Sequence, residues 1–201
     1  MAQKKVIIVW LANGFDPTEP SRTDPLSQEA LAWAVRNYRR HVRDGTRVFF
    51  LLIKSIVRSA NNDVLHEVLY KEALDARVAP ADIVLSRETT GSPTDGLAIA
   101  LVSRDHPDAK LELYVCMKEA ADYFLVMYPA VAKHIIRYQM PLLDMRTLDT
   151  KAGIKSRFLY RAMRAVTQVA RMTKPTFRLW YNFLNWAYRR RVTHGFGRTI
   201  K

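Results

Sequence analysis

Val48-Phe-Phe-Leu-Leu-Ile53 is a run of six apolar residues without a polar break, and it closes on Lys54-Ser55. A run this short and this unpatterned is a strand buried on both faces, as in the middle of a parallel sheet. Val6 to Leu11 repeats the signature upstream and ends in the turn-forming Asn13-Gly14-Phe15-Asp16-Pro17. Downstream, Asp82 to Leu85 and Leu111 to Cys116 supply two more strands. Helical patterns fill the gaps. Pro25-Leu26-Ser27-Gln28 opens a helix to about Arg43, with Leu31, Ala34, Val35 and Tyr38 at helical spacing and Arg36, Arg39, Arg40 and Arg43 on a solvated side. Asp44-Gly45 stops it. Asn61-Asn62-Asp63 reads as the cap of a second helix through about Ala76. Ser92-Pro93-Thr94-Asp95 reads as a third helix start, with Ser92 as N-cap, Pro93 first in the helix, and Asp95 reaching back. That helix continues to about Val102, and another is expected from Ala120 to about Met127, before Pro129. Ile135 to Met145 fits either a helix end or a fifth strand. The alternation predicts an α/β fold, Rossmann-like and doubly wound, around a mainly parallel sheet of four to five strands.

The charge divides the chain in two. Residues 151–201 hold 13 Lys and Arg and no Asp or Glu, out of 32 basic and 19 acidic residues in the whole chain. Residues 1–150 are therefore neutral in sum and form the expected α/β domain, while 151–201 form a basic helical tail carrying the net charge of +13. Two tail helices are expected, separated at Lys174-Pro175. In the first, Arg157, Arg161, Arg164, Gln168 and Arg171 make one stripe opposite Phe158, Ala162, Ala165, Val166 and Val169. In the second, Arg178, Asn182, Asn185 and Arg189 make a narrow polar stripe, with Trp180, Phe183, Leu184 and Trp186 in the apolar remainder. Arg189-Arg190-Arg191 closes it. So wide an apolar arc needs cover.

Several function classes are set aside. Cys116 is the lone cysteine, so intrachain disulfides and multi-cysteine zinc sites are excluded, and its apolar surroundings make it core filler. The five histidines are scattered without metal-binding spacing, and no Walker loop, Gly-x-Gly-x-x-Gly or Gly-x-Ser-x-Gly is present. Lys4-Lys5 before Val6 to Ala12 mimics a signal peptide, but the β-branched run and following turn favour a first strand. No stretch reaches the roughly 20 apolar residues of a membrane span. The expectation is a cytoplasmic protein, peripheral to a membrane where the tail meets lipid.

In an open parallel sheet the ligand lies beyond the carboxyl ends of the strands. Asn13, Gly14, Lys54, Ser55, Glu88, Thr89, Ser92, Thr94, Asp95 and Lys118 fall there. Ser92 to Gly96 would favour an anion at a helix start, although Asp95 competes as a cap. Lys54 and Lys118 each end a buried strand, which suits an anion or water.

The order of Arg47-Val-Phe-Phe-Leu-Leu, Val78-Ala-Pro-Ala-Asp-Ile-Val-Leu and Glu88-Thr-Thr-Gly-Ser-Pro-Thr-Asp resembles the YdcF/SanA/ElyC-like family over roughly Lys5 to Tyr128. On that resemblance Glu88 and Thr89 match an Asp/Glu-Ser pair, Ser92 a Thr, and Thr94-Asp95 a Glu-Asn. The family's Ser-Gly-Gly is replaced by Ile53-Lys54-Ser55, its histidine after the fourth strand by Met117-Lys118, and its glycine-rich first loop by Ala12-Asn13-Gly14. The resemblance implies a Rossmann-like sheet, a nucleotide-type or phosphate-bearing ligand and a link to envelope biology.

Three functions stay open. In one, a Rossmann-like protein binds a phosphate-bearing small ligand and sits on an anionic membrane surface by Arg157, Arg161, Arg164, Arg171, Arg178, Trp180, Trp186, Arg189, Arg190 and Arg191. In another, the same tail binds nucleic acid without catalysis. In the third, the tail packs on the body or on a second copy as an assembly device. No reaction, cofactor or metal is named by the sequence.

Overall fold

Val6, Ile8 and Trp10 on one side of β1 (Lys5–Leu11), and Ile7 and Val9 on the other, are all buried. This two-sided burial follows from the neighbours of β1. β2 (Arg47–Ser55) and β4 (Ala109–Val115) flank it in parallel, with Val6 opposite Val48 and Ile7 opposite Leu111. β3 (Ile83–Thr89) lies outside β2 and β5 (Ile135–Gln139) outside β4, both parallel, giving the order β3-β2-β1-β4-β5. The computed structural model describes residues 3–12, 14–59, 61–89, 91–115, 122–123, 126, 135–139 and 150–193. The α/β, Rossmann-like expectation is met, and Ile135–Gln139 is a strand.

α1 (Pro25–Arg43) and α2 (Leu65–Asp75) cover the face carrying Trp10, Phe50 and Tyr114, while α3 (Ser92–Asp105) covers the face carrying Ile7, Leu51 and Leu113 through Ile99. The strand order reverses direction between β1 and β4, which makes the sheet doubly wound. Asp24 caps α1 by accepting from the Leu26 and Ser27 amides, and Gly45, at φ 70°, lets the chain turn into β2. Trp10 Nε1 donates to the Ser27 carbonyl at 2.9 Å, so the largest core ring also fixes the first turn of α1.

Two helix starts differ from expectation. α2 begins at Leu65 because Asn62 adopts φ 68° and Asp63 closes a tight turn with Ser59, which removes Asn61 to Asp63 from a capping position. β3 runs on to Thr89, and Gly91, not Ser92, is the N-cap of α3. Gly91 stands at φ 151°, a conformation that side chains disfavour. Asp95 therefore does not reach back to a cap; the Thr94 hydroxyl serves the Gly91 backbone instead.

The tail forms α4 (Thr150–Ala170) and α5 (Lys174–Thr193), with Pro175 in the first turn of α5. Met163 and Leu184 are buried together with Tyr123, and Trp180 Nε1 donates to Thr167 Oγ1 at 2.8 Å. Arg164 pairs with Asp122 at 3.3 Å, and Arg171 donates to the Val126 carbonyl at 2.8 Å. The helical hairpin is thus tied to the residues that follow β4.

Candidate functional site

At the carboxyl end of β2 the ladder with β3 slips. Leu52 faces Leu85 but Lys54 faces Glu88, so β3 carries an extra residue there. Ser86 Oγ, within the irregular stretch, accepts from the Lys54 amide at 2.9 Å. Such irregularities re-aim side chains at the ends of sheets. Here the result is an ion pair, Lys54 Nζ to Glu88 Oε1 at 3.1 Å, exposed on both sides. Lys54 is thus matched by a carboxylate of its own chain. Ser55 and Thr89, the next pair in register, are both buried. His66 Nδ1 donates to the Ser55 carbonyl at 2.9 Å.

Asp95 enters from the first turn of α3. Its residue keeps some exposure, but Oδ1 is fully buried and has no hydrogen-bond partner; neither has the buried Thr89 Oγ1. Burial raises the Asp95 carboxyl to about 6, and the nearby Thr89 hydroxyl offsets this in part without completing a hydrogen bond. A carboxyl that changes charge near neutrality, beside the buried Thr89 hydroxyl, is equipped to take or give a proton. As a carboxylate it opposes an anion at the start of α3.

The structure therefore brings Lys54, Ser55, Glu88, Thr89, Thr94 and Asp95 to neighbouring strand and helix ends. Gly14 stands apart: its carbonyl accepts from the Asp24 amide, and a Cβ there would meet nothing within 4 Å. The loop around it is braced by bonds from the Thr23 amide and hydroxyl to Glu72 and from Thr18 to Asp16. Asn13, Lys118 and the side chains of Ser92, Arg157 and Arg191 lie outside the described residues.

A buried polar cluster sits elsewhere and was not singled out from the sequence. Glu112, 1% exposed in the middle of β4, meets His41 Nε2 at 2.9 Å and the Tyr114 hydroxyl at 2.6 Å, with Arg40 at 3.9 Å. Its sequence signal was a carboxylate inside the apolar run Leu111 to Val115. A groove of about 830 Å³ lies between α1 and α2 and is also lined by Glu19, Ser21 and Arg22 of the loop after β1. Its Arg36 stacks on Trp33 at 4.5 Å and its Arg39 donates to the Ala76 carbonyl.

The second candidate surface is the tail. Phe158, Leu159, Val166, Val169, Met172, Leu179, Phe183 and Trp186 are all exposed, from 45% to 81%. Arg161, Arg164, Arg171, Lys174, Arg178, Arg189 and Arg190 are exposed among them. Trp180, Phe183 and Trp186 form a ladder of rings at 5.6 Å and 6.1 Å, and Arg190 lies 5.3 Å over Trp186. No helix among the described residues is long and apolar enough to cross a membrane. Among the described residues no group of three or more His, Cys, Asp or Glu is placed to hold a metal ion. No protein-family model matches the chain, and no match is found among curated proteins or solved structures.

Proposed function

We propose that this is a peripheral membrane protein: the α4–α5 hairpin lies on an anionic lipid surface and holds the Rossmann-like body there. The observation that carries the reading is the set of eight large hydrophobic side chains left exposed on two helices and the turn between them, a hairpin that holds cations and no acid. Five of the eight are aliphatic. Aliphatic side chains gain nothing from base stacking, whereas acyl chains accept them, so lipid is favoured over single-stranded nucleic acid. A symmetric second copy would bring the same cations face to face, which an anionic leaflet does not. Burying one such side chain fully is worth about 1.5–3 kcal/mol. Each cation near an anionic leaflet adds about 1 kcal/mol.

The test is co-sedimentation of the full chain with vesicles of anionic and of neutral lipid, beside the double substitution Leu179→Ser and Phe183→Ser. Binding to anionic vesicles, weakened by salt and reduced at least tenfold by the double substitution, is expected. Equal binding by both proteins refutes the reading. So does an absence of vesicle binding accompanied by RNA binding that falls linearly with log salt.

A second reading concerns the body: a small phosphate-bearing or nucleotide-type ligand at the carboxyl ends of the strands. It is favoured by the reversal of strand order beside β1 and by the unpartnered Thr89 Oγ1 and Asp95 Oδ1. It also agrees with the likeness of this stretch to the YdcF-like layout. Lys54 would meet the ligand's charge only by leaving Glu88.

A further inference from the structure

Arg36, Arg39 and Arg43 stand at positions i, i+3 and i+7 of α1, so the three share one face of that helix along roughly 10 Å. That face is one wall of the groove of about 830 Å³ between α1 and α2, and Lys71 stands on the other wall. All four cations are exposed, and among the described residues none of them has an ion-pair partner. The groove's own carboxylates do not answer them. Both Glu72 oxygens are taken, by the Thr23 amide at 2.9 Å and the Thr23 hydroxyl at 2.7 Å. Glu19 is paired with Arg22 at 3.3 Å. Asp75, one turn on from Lys71, is left to answer one cation at most. Two of the guanidinium groups are already held in place: Arg36 lies over the Trp33 ring at 4.5 Å, and Arg39 donates from one nitrogen to the Ala76 carbonyl at 2.9 Å. Groups held in this way lose less freedom when they meet an anion. The floor between the walls is apolar and low, with exposed Ala32 and half-buried Ala76 beside the buried Leu31 and Val35. Small residues there let another backbone come close to both helices.

We propose that this groove receives an acidic amphipathic helix of a partner protein. Acids that repeat every three and four residues on such a helix rise in step with Arg36, Arg39 and Arg43, and its apolar side lies over Ala32 and Ala76. Charge decides against the other occupants. The tail helices α4 and α5, from the same chain or from a second copy, carry cations and no acid, so the groove repels them. A nucleic acid would set phosphates against Asp75, and residues 1–150 are neutral in sum, so no wider field holds a long polyanion there. The site uses no residue of the tail and is independent of the membrane reading.

The full chain is titrated, by fluorescence anisotropy, with two labelled helical peptides of equal length and composition. In one the glutamates follow the spacing of the three arginines with leucine and alanine opposite; in the other the same residues are scrambled around the helix. About a fivefold preference for the patterned peptide is expected, weakened by salt, the worth of a few exposed ion pairs in register. Arg36→Gln with Arg43→Gln should erase the preference. Ala32→Trp should erase it too, because it fills the floor and leaves every charge in place. All three positions are exposed, so the thermal midpoint of either variant should stay where it is. Arg189→Gln with Arg190→Gln, in the tail, should leave the preference intact. Equal binding of the two peptides by the native chain, a preference that survives Ala32→Trp, or one that is lost with the tail arginines overturns the proposal. So does an oligouridylate that displaces the patterned peptide and loses as much affinity to Arg36→Gln with Arg43→Gln, since the groove would then be a phosphate site. Vesicle binding enters none of these outcomes, so the membrane reading stands or falls separately.

Discussion

Asp95→Asn should stabilise this protein at neutral pH and do almost nothing below pH 4. In the folded state the Asp95 carboxyl is raised by burial to about 6, from an ordinary value of 3.8. Between those two values the folded chain binds more protons than the unfolded one, so stability falls as pH rises through that window. The cost of charging Asp95 is fully present above about pH 6 and absent below 3.8. A difference of roughly two pKa units corresponds to about 3 kcal/mol, an upper figure because the residue keeps some contact with water. Asn is neutral throughout and nearly isosteric, so it removes this cost and nothing else of that size. In urea denaturation at pH 4.5, 6 and 7.5, the gap between the two proteins should open from about 1 kcal/mol to about 3 kcal/mol. In thermal unfolding the same gap is roughly 6–12 °C for a chain of this length. A gap independent of pH would refute the argument. A less stable Asp95→Asn chain at pH 7.5 would do so more sharply, because it would mean that the carboxylate earns its place through the helix amides of α3.

His41→Ala removes the 2.9 Å partner of buried Glu112 and should cost about 2–3 kcal/mol by urea denaturation. A cost under 0.5 kcal/mol would show that His41 does little to hold the buried Glu112 carboxyl. If a nucleotide or other phosphate compound binds at the start of α3, it should bind more tightly to Asp95→Asn than to the native chain at pH 7.5, with the difference closing by pH 5, where Asp95 of the native chain is largely protonated. Isothermal titration reads this directly, and equal affinity at both pH values would place the phosphate elsewhere.

The parts of this molecule that were legible in its sequence are those whose physics is local or compositional. A strand buried on both faces has nowhere to put a polar side chain, so Val6 to Leu11 and Val48 to Ile53 declare themselves. Helix starts were legible in kind but displaced in position: Gly91 and Ser92 are both acceptable caps, and only the backbone at φ 151° selects the glycine. The candidate site was named residue by residue but not assembled, because its geometry depends on register. The pairing of Lys54 with Glu88 follows from the slip after Leu52, and no feature of either residue announces that slip. Glu112 was missed although it is a lone carboxylate in an apolar strand, and its partner His41 is 71 residues away.

The tail shows the same division most clearly. Its composition established charge without acid and an apolar arc too wide for solvent, and left open what would cover that arc. Packing then spends only part of it: Met163, Leu184, Phe177, Trp180 and Tyr181 close on Tyr123, and the outer arc is left in water. Two attachments, Arg164 to Asp122 and Arg171 to the Val126 carbonyl, hold the inner side of the hairpin against the segment following β4. A hairpin fixed on its inner side cannot turn to hide its outer one without breaking those two bonds. The exposed arc is therefore a feature of the folded chain and not of one orientation of a loose tail, and it is this apolar and uniformly cationic surface that the proposed lipid interface would cover.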